Sequence, residues 1–555
     1  MRRGVRLRMF AGTLAGVAAV ASLTIVSPDA SAASNPAGIG STAAKNGPNC
    51  DAETSTVKLE YFAAPPCVKP WKEGADNGGS TMQGVTDTTI DVVVYTGFPA
   101  DQAPEDVNDR SLGQLATNLA ADLPGTIEDA IHDADAAVGH ALESYSRTVE
   151  YSYLTRTGTD EAAQRADAIT ATDREPFAVL DLAGAETFCS EVAARKVIAI
   201  CATGTNQAMD AQKPYRYSTY IDYWANTIGT AELIGKGLKG RPAKWAGDEE
   251  LQGTTRKFGV VFQNGQTGID TDLWESSLSK YGAPDMAVEL PYDPGTAEAT
   301  GSGTVAQEQA PTMITRLKDA GVTTVVLFTD LSMNLALLTQ ANQQEYHPEW
   351  LQTGFLFSEI PAISRLMNQE QWAHAFGLGT LNVPIADRPA GEPLLAWYWG
   401  ERNFSYNAAV FGEMVVLKFG MHLAGPKLTP ANFRTAVFSV GAHGGAPNDD
   451  PGNIMLARGK APGVPYTEYL FGGDHALVWW NPDAMLTTSV SAPRPGASMY
   501  VDGGKRYLQG KLPKGEPKFF DDSASVVELP DEPKPLPGWP CVGCPSTGSG
   551  EQPGA

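Results

Sequence analysis

The cysteines of this 555-residue chain carry its most direct chemical signal. Cys541 and Cys544 spell Cys-x-x-Cys, a spacing used for redox and metal work, but they stand between Pro540 and Pro545. A reactive thiol needs a strand-to-helix setting that lowers its pKa, and a proline-rich tail has none, so a structural bridge is expected there. The other four fall as Cys50 with Cys67 and Cys189 with Cys201. Sequence proximity suggests three local disulfides, with metal or redox chemistry as the alternative for each pair.

Other strings with chemical meaning fare less well. Gly235-Lys-Gly-Leu-Lys-Gly240 matches G-x-G-x-x-G, yet a helical stretch precedes it and Arg241-Pro242 follows. A pyrophosphate cradle needs a strand before and a helix after, so the string is expected to be a helix end. Ser277-Leu-Ser-Lys280 spells S-x-x-K without the companion K-T-G or S-D-N strings, and is expected on the exposed face of an amphipathic helix. G-x-S-x-G and H-E-x-x-H are absent, and the seven histidines show no pair at metal-ligand spacing. These readings favour binding over turnover, with no cofactor and no metal; an extracellular enzyme whose reactive groups come from distant residues is the lesser alternative.

The elements that would position a site are α/β in pattern. Apolar strands at 89–95, 149–154, 177–182 and 197–201 alternate with helical stretches at 111–138, 161–170 and 185–194. A second series follows, with helices over 223–238, 271–281, 307–320 and 332–342 between strands at 257–262, 286–290, 323–328 and 350–355. Such alternation predicts βαβ units and parallel sheets, and two series predict two lobes. Residues 391–440 read as mainly helical, 468–481 and 499–507 as late strands, and 521–555 as a proline-rich tail.

Composition narrows the function. With 42% hydrophobic residues and 11 Trp, the chain can fill more than one core. Lys and Arg total 41 against 64 Asp and Glu, a net charge of −23 that would repel phosphate backbones, so no nucleic-acid partner is expected. Arg2, Arg3, Arg6 and Arg8, the apolar run 9–26 and Ala30-Ser31-Ala32 form a signal-peptide pattern over residues 1–32. The expectation is an exported protein, secreted or periplasmic, whose cysteines oxidise; Gly47-Pro48-Asn49 before Cys50 gives no lipid-anchor signal.

Taken in order, several segments resemble the type I periplasmic-binding proteins, the leucine-binding-like group of ABC importers. They are 76–95 (Asp-Asn-Gly-Gly-Ser through the first strand), Asp181-Leu-Ala-Gly-Ala185, Cys201-Ala-Thr-Gly-Thr-Asn206, Arg216-Tyr-Ser-Thr-Tyr-Ile-Asp222, Gln263-Asn-Gly-Gln-Thr-Gly268, the helix at 407–423 and Asp474-His-Ala-Leu-Val-Trp-Trp480. The resemblance spans about residues 80–510. It implies two Rossmann-like lobes joined by three crossovers, near 217–222, 380–384 and 463–470. After the signal comes a disulfide-bearing extension at 33–80, then lobe 1 as 81–218 plus 381–465 and lobe 2 as 219–380 plus 466–520. A small polar or amphipathic ligand would lie between the lobes of a monomer and be passed to an ABC permease in the membrane; a ligand-sensing ectodomain is the alternative on the same fold. The ligand-binding residues implied are Gly184, Ala185, Thr203, Gly204 and Thr205 for the head group, Asp222 for an ammonium, Tyr220 for aromatic surface, and Thr267 where the amino-acid binders usually have Tyr.

Overall fold

Two hydrophobic cores form because two runs of Val, Ile, Leu and Phe are each buried on both sheet faces by helices. The structure is a computed structural model. It describes residues 37–61, 63–97, 126–158, 160–201, 204, 206–219, 223–264, 269–293, 303–355, 358–380, 393–399, 405, 407–439, 474–486 and 494–526.

The first sheet contains β1 (Thr89–Thr96), β2 (Thr148–Thr155), β3 (Ala178–Asp181), β4 (Ile198–Cys201) and β5 (Arg216–Ser218). Its order is β2-β1-β3-β4-β5, every pair parallel. Between these strands lie α1 (Ile127–Gly139), α2 (Glu161–Thr172) and α3 (Glu186–Ala194). Thr126 and Asp129 close a capping box that starts α1, and Asp160 caps α2 through the amides of Ala162 and Ala163. The segment 111–125, expected to be the first half of that first helix, lies outside the described residues.

The larger sheet follows α4 (Tyr223–Leu233) and contains β6 (Phe258–Gln263), β7 (Val288–Tyr292), β8 (Thr324–Phe328), β9 (Glu349–Gln352), β10 (Ala375–Gly379), β11 (Asp474–Leu486) and β12 (Arg494–Val501). β13 (Tyr507–Leu508) and β14 (Ser525–Val526) complete it. The order is β14-β12-β11-β10-β9-β8-β6-β7, parallel from β7 to β10 and antiparallel from β11 outward. Helices α5 (Thr271–Tyr281), α6 (Gly303–Asp319) and α7 (Leu331–Gln343) belong to this half, whereas α8 (Ala408–Ala424) and α9 (Pro430–Ser439) return to the core of the first sheet.

The chain therefore changes core three times: between Ser218 and Tyr223, between Gly379 and Leu394, and between Ser439 and Asp474. Two lobes and three passages are what the family resemblance implied. β10 was not foreseen. Its Gly377 and Gly379 weaken a strand reading, yet a side chain at Gly377 would start 1.9 Å from the Gln352 carbonyl oxygen, so glycine lets β10 approach β9. The expected strand at 350–355 stops at Gln352 because Gly354 turns the backbone to φ +75°. The expected strand at 499–507 is broken by the Asp502–Gly504 turn into the end of β12 and β13.

Two motif readings are settled by packing. Gly235 to Gly240 is a helix end: α4 runs into a π-turn over Ile234–Leu238, and a side chain at Gly235 would meet the Tyr281 carbonyl oxygen at 2.4 Å. Ser277 is a correction. It is 3% exposed, because Trp274, Ser277 and Leu278 form the buried stripe of α5, while Lys280 faces solvent.

Cys50–Cys67 and Cys189–Cys201 are disulfides; Cys541 and Cys544 lie outside the described residues. The first bridge closes the N-terminal extension, which is fixed to lobe 1 by Tyr61 against Phe411 and Phe419 and by Trp71 against Tyr145. Tryptic digestion without reductant should leave the peptides cut at Lys58 joined, and likewise those cut at Arg195 and Lys196, each pair separating on reduction. Free Cys189, or its linkage to Cys50, would refute the pairing.

Candidate functional site

In an open parallel sheet the ligand end is the carboxyl edge, where strands stop and helices begin. On lobe 1 that edge carries Asp181, Cys201 and Ser218, all fully buried. Gly184 turns the chain out of β3 at φ +66°, a conformation that favours glycine. Asp181 then accepts hydrogen bonds from the Ala183 amide at 3.0 Å and the Ala185 amide at 2.9 Å.

At the start of α3, beside the implied head-group residues Gly184 and Ala185, the Ala185 amide is held by Asp181, and Gln164 Oε1 accepts from the Thr187 and Phe188 amides at 3.1 and 3.3 Å. The first turn of α3 is thus capped largely from within. Asp181 Oδ2 also lies 3.3 Å from Cys189 Sγ, and the atoms of Asp181, Cys189 and Cys201 lie within 4.8 Å of one another. Both sulfurs are committed to the disulfide, so the trio is not a thiolate metal site.

Below the edge, Arg216 and Glu186 form a fully buried ion pair at 2.5 Å, and a second Arg216 nitrogen donates to Gln212 Oε1 at 3.1 Å. β5 directs Arg216 and Ser218 to this side, while Tyr217 faces Phe433. A side chain at Gly204 would lie 3.5 Å from Arg216 Nη2 and 3.8 Å from Ser218, placing Gly204 directly over the pair. Thr203, Thr205, Tyr220, Asp222 and Thr267 lie outside the described residues.

Lobe 2 presents a different edge. Tyr223 opens α4 at 4% exposure and packs on Phe355 with ring centroids 4.2 Å apart. Burial, together with the Glu186 charge of lobe 1, raises the Tyr223 hydroxyl pKa. At the end of β8, Asp330 accepts from the Tyr292 hydroxyl at 2.6 Å, returns its own amide to that hydroxyl at 2.8 Å, and caps α7 through the Met333 amide. Burial pushes the Asp330 carboxyl up to about 6 despite these hydrogen bonds.

Asp330 and Glu413 were missed in the sequence. Asp330 had a signal, an acidic residue between a strand and a helix, which reads as a helix cap. Glu413 had none, being the single acid in the largely apolar α8; it is fully buried, and desolvation together with the Asp181 charge holds its carboxyl well above the usual range. No helix among the described residues is long and apolar enough to cross a membrane.

No family model matches the chain, and no curated protein matches it. Solved structures that are similar include an ABC-transporter solute-binding protein from R. palustris in complex with 4-hydroxybenzoate. It shows 15% identity over 78% of this chain and 98% of that one, at a TM-score of 0.46. A fatty acid ABC transporter substrate-binding protein from Thermomonospora curvata shows 16% identity over 77% and 92%, at 0.46. A leucine-, isoleucine-, valine-, threonine- and alanine-binding protein from Brucella ovis, in a closed conformation, shows 10% over 77% and 98%, at 0.48.

Proposed function

We propose that this chain is an exported solute-binding protein that captures a small polar or amphipathic ligand between its lobes, without turnover, for an ABC permease. The observation that carries the reading is the pairing of two α/β cores between which the chain passes three times, the first passage leaving the carboxyl end of β5 and entering α4 at Tyr223. Polar groups on both edges can favour a closed state when a ligand touches both. The Tyr223–Phe355 pair supports an apolar portion in that ligand.

Thr203 and Thr205 remain proposed head-group residues on their match to the family motif, with Gly184 and Gly204 setting the turns beside them and Asp222 the proposed ammonium acceptor. Tyr220 and Thr267 are proposed to line the lobe-2 side. A thermal-shift screen of amino acids, amides, aromatic acids and oxo acids should find a ligand, and a saturating ligand should reduce the radius of gyration in small-angle scattering. Thr205→Val should then weaken binding by about 1–3 kcal/mol, with Asp222→Asn comparable only for a cationic ligand. Wild-type affinity in Thr205→Val would move the head-group site elsewhere, and an unchanged scattering profile at saturation would refute closure.

A further inference from the structure

We propose that the Glu413 carboxyl is itself a ligand-binding group, and that the head group it takes is a hydrogen-bond donor, an amide, amine or amidine, in place of a carboxylate. The inference rests on the solute-binding reading above and names the chemistry of its lobe-1 side.

Glu413 lies on the face of α8 that also carries Val410 and Leu417, both in the lobe-1 core. The preceding Gly412 would bring a side chain within 3.3 Å of Thr219, the residue that leaves β5 for the first passage. Asp181 at the end of β3 is close enough for its charge to act on Glu413. Three elements of lobe 1 thus set this carboxyl at the edge assigned to the ligand. It is 0% exposed, and neither carboxyl oxygen has a hydrogen-bond partner among the described residues.

A buried carboxyl with both oxygens unsatisfied opposes folding, and a Leu or Met would fill the same seam without that cost. Such a group is explained if a ligand supplies the donors. The surroundings select the kind of ligand. The Ala185, Thr187 and Phe188 amides, which could have met a carboxylate, already serve Asp181 and Gln164. Asp181, Glu186 and Glu413 give this part of lobe 1 three carboxyl groups, and the Arg216 guanidinium is committed to Glu186 and Gln212. Its Nε is the one nitrogen of that guanidinium left without an acceptor among the described residues. A primary amide offers the donors Glu413 lacks and an acceptor that Nε lacks; an amine or amidine offers donors and a charge opposite to the acidic edge.

The test uses matched head groups on two scaffolds: benzoate, benzamide and benzamidine, and butyrate, butyramide and butylamine. Thermal shift and calorimetry on the full exported chain should show the amide or cationic member of at least one set binding more tightly than its carboxylate. Glu413→Leu should abolish that binding while leaving the Tm of the unliganded protein equal or higher. Glu413→Gln should keep amide binding and weaken the cationic members by about tenfold or more. Tighter carboxylate binding, unaltered binding in Glu413→Leu, or a lowered Tm in both variants would overturn the proposal, the last by making Glu413 a support of the fold. If carboxylates bind and close the lobes, the solute-binding reading stands and this one falls. If none of the six binds and no compound of any class closes the lobes, both fall.

Discussion

Arg506→Ala should destabilise the protein by about 3–5 kcal/mol, the usual cost of removing one partner from a buried ion pair. Arg506 and Asp474 both have fully buried side chains. The guanidinium donates to both Asp474 oxygens at 3.1 and 3.0 Å and to the Thr380 carbonyl at 3.0 Å. Thr380 in turn gives its amide to both Glu359 oxygens at 2.9 and 2.8 Å. Thr380 follows β10, where the chain leaves lobe 2 for the second passage, and Asp474 opens β11, where it returns from the third. One guanidinium therefore ties two passages together, and its removal leaves the Asp474 charge buried without it.

The loss should appear in urea unfolding as a lower midpoint at unchanged slope. Arg506→Lys should recover only part of it, because an ammonium cannot reproduce the forked donors. Arg165→Ala is the control; its pair with Glu161 is solvent-exposed at 54% and 63%, and it should change stability by less than about 1 kcal/mol. A loss in Arg506→Ala no larger than in Arg165→Ala would refute the tie. Should the variant retain its fold, ligand-induced compaction should be weakened as well, since the passages are the segments about which lobes would close.

The parts of this architecture legible in the sequence were those with a strong local period. Val92 to Tyr95, Val179 to Leu180 and Val325 to Phe328 are buried in both sheet directions, so their apolar runs announce parallel strands without tertiary information. β10 was illegible because its glycines serve a close approach to β9 that exists only after folding. Ser277 was misplaced because hydroxyl residues were assigned to solvent by type, whereas the position is fixed by Trp274 and Leu278 on the same helical stripe.

The candidate site was legible only as a location. Asp181 through Ala185 could be placed at the end of a strand, but that Asp181 and Gln164 would occupy the helix-start amides depends on Gln164, which α2 brings from seventeen residues upstream of Asp181. Glu413 shows the same limit from the other side. A lone acid in an apolar helix reads as an exposed residue until the sheet packed against it is known.

His422 should make part of the stability acid-labile. It is 2% exposed, its Nδ1 accepts the Glu143 amide at 2.8 Å, and its Nε2–H faces the Pro66 carbonyl of the N-terminal extension at 3.3 Å. That pattern requires the neutral ring, and burial lowers its pKa to about 4. The unfolded chain protonates near 6.5 while the native chain does not. The stability this group contributes is therefore complete above 6.5 and is lost as pH falls toward 4. Asp330 works in the opposite sense. Its folded pKa is raised to about 6, so the native state takes a proton before the unfolded one and gains stability as pH falls from 6 toward 3.8. The wild-type pH profile is thus a composite, and the informative quantity is the difference from a variant that cannot titrate. Relative to His422→Gln, wild-type stability should fall by about 1.5 kcal/mol between pH 6.5 and pH 5. Protonated Nδ1 can no longer accept the Glu143 amide, so proteolysis at acidic pH should open the Cys50–Cys67 extension earlier in wild type than in the variant. Parallel stability curves for the two proteins over that window would show that His422 does not sense pH.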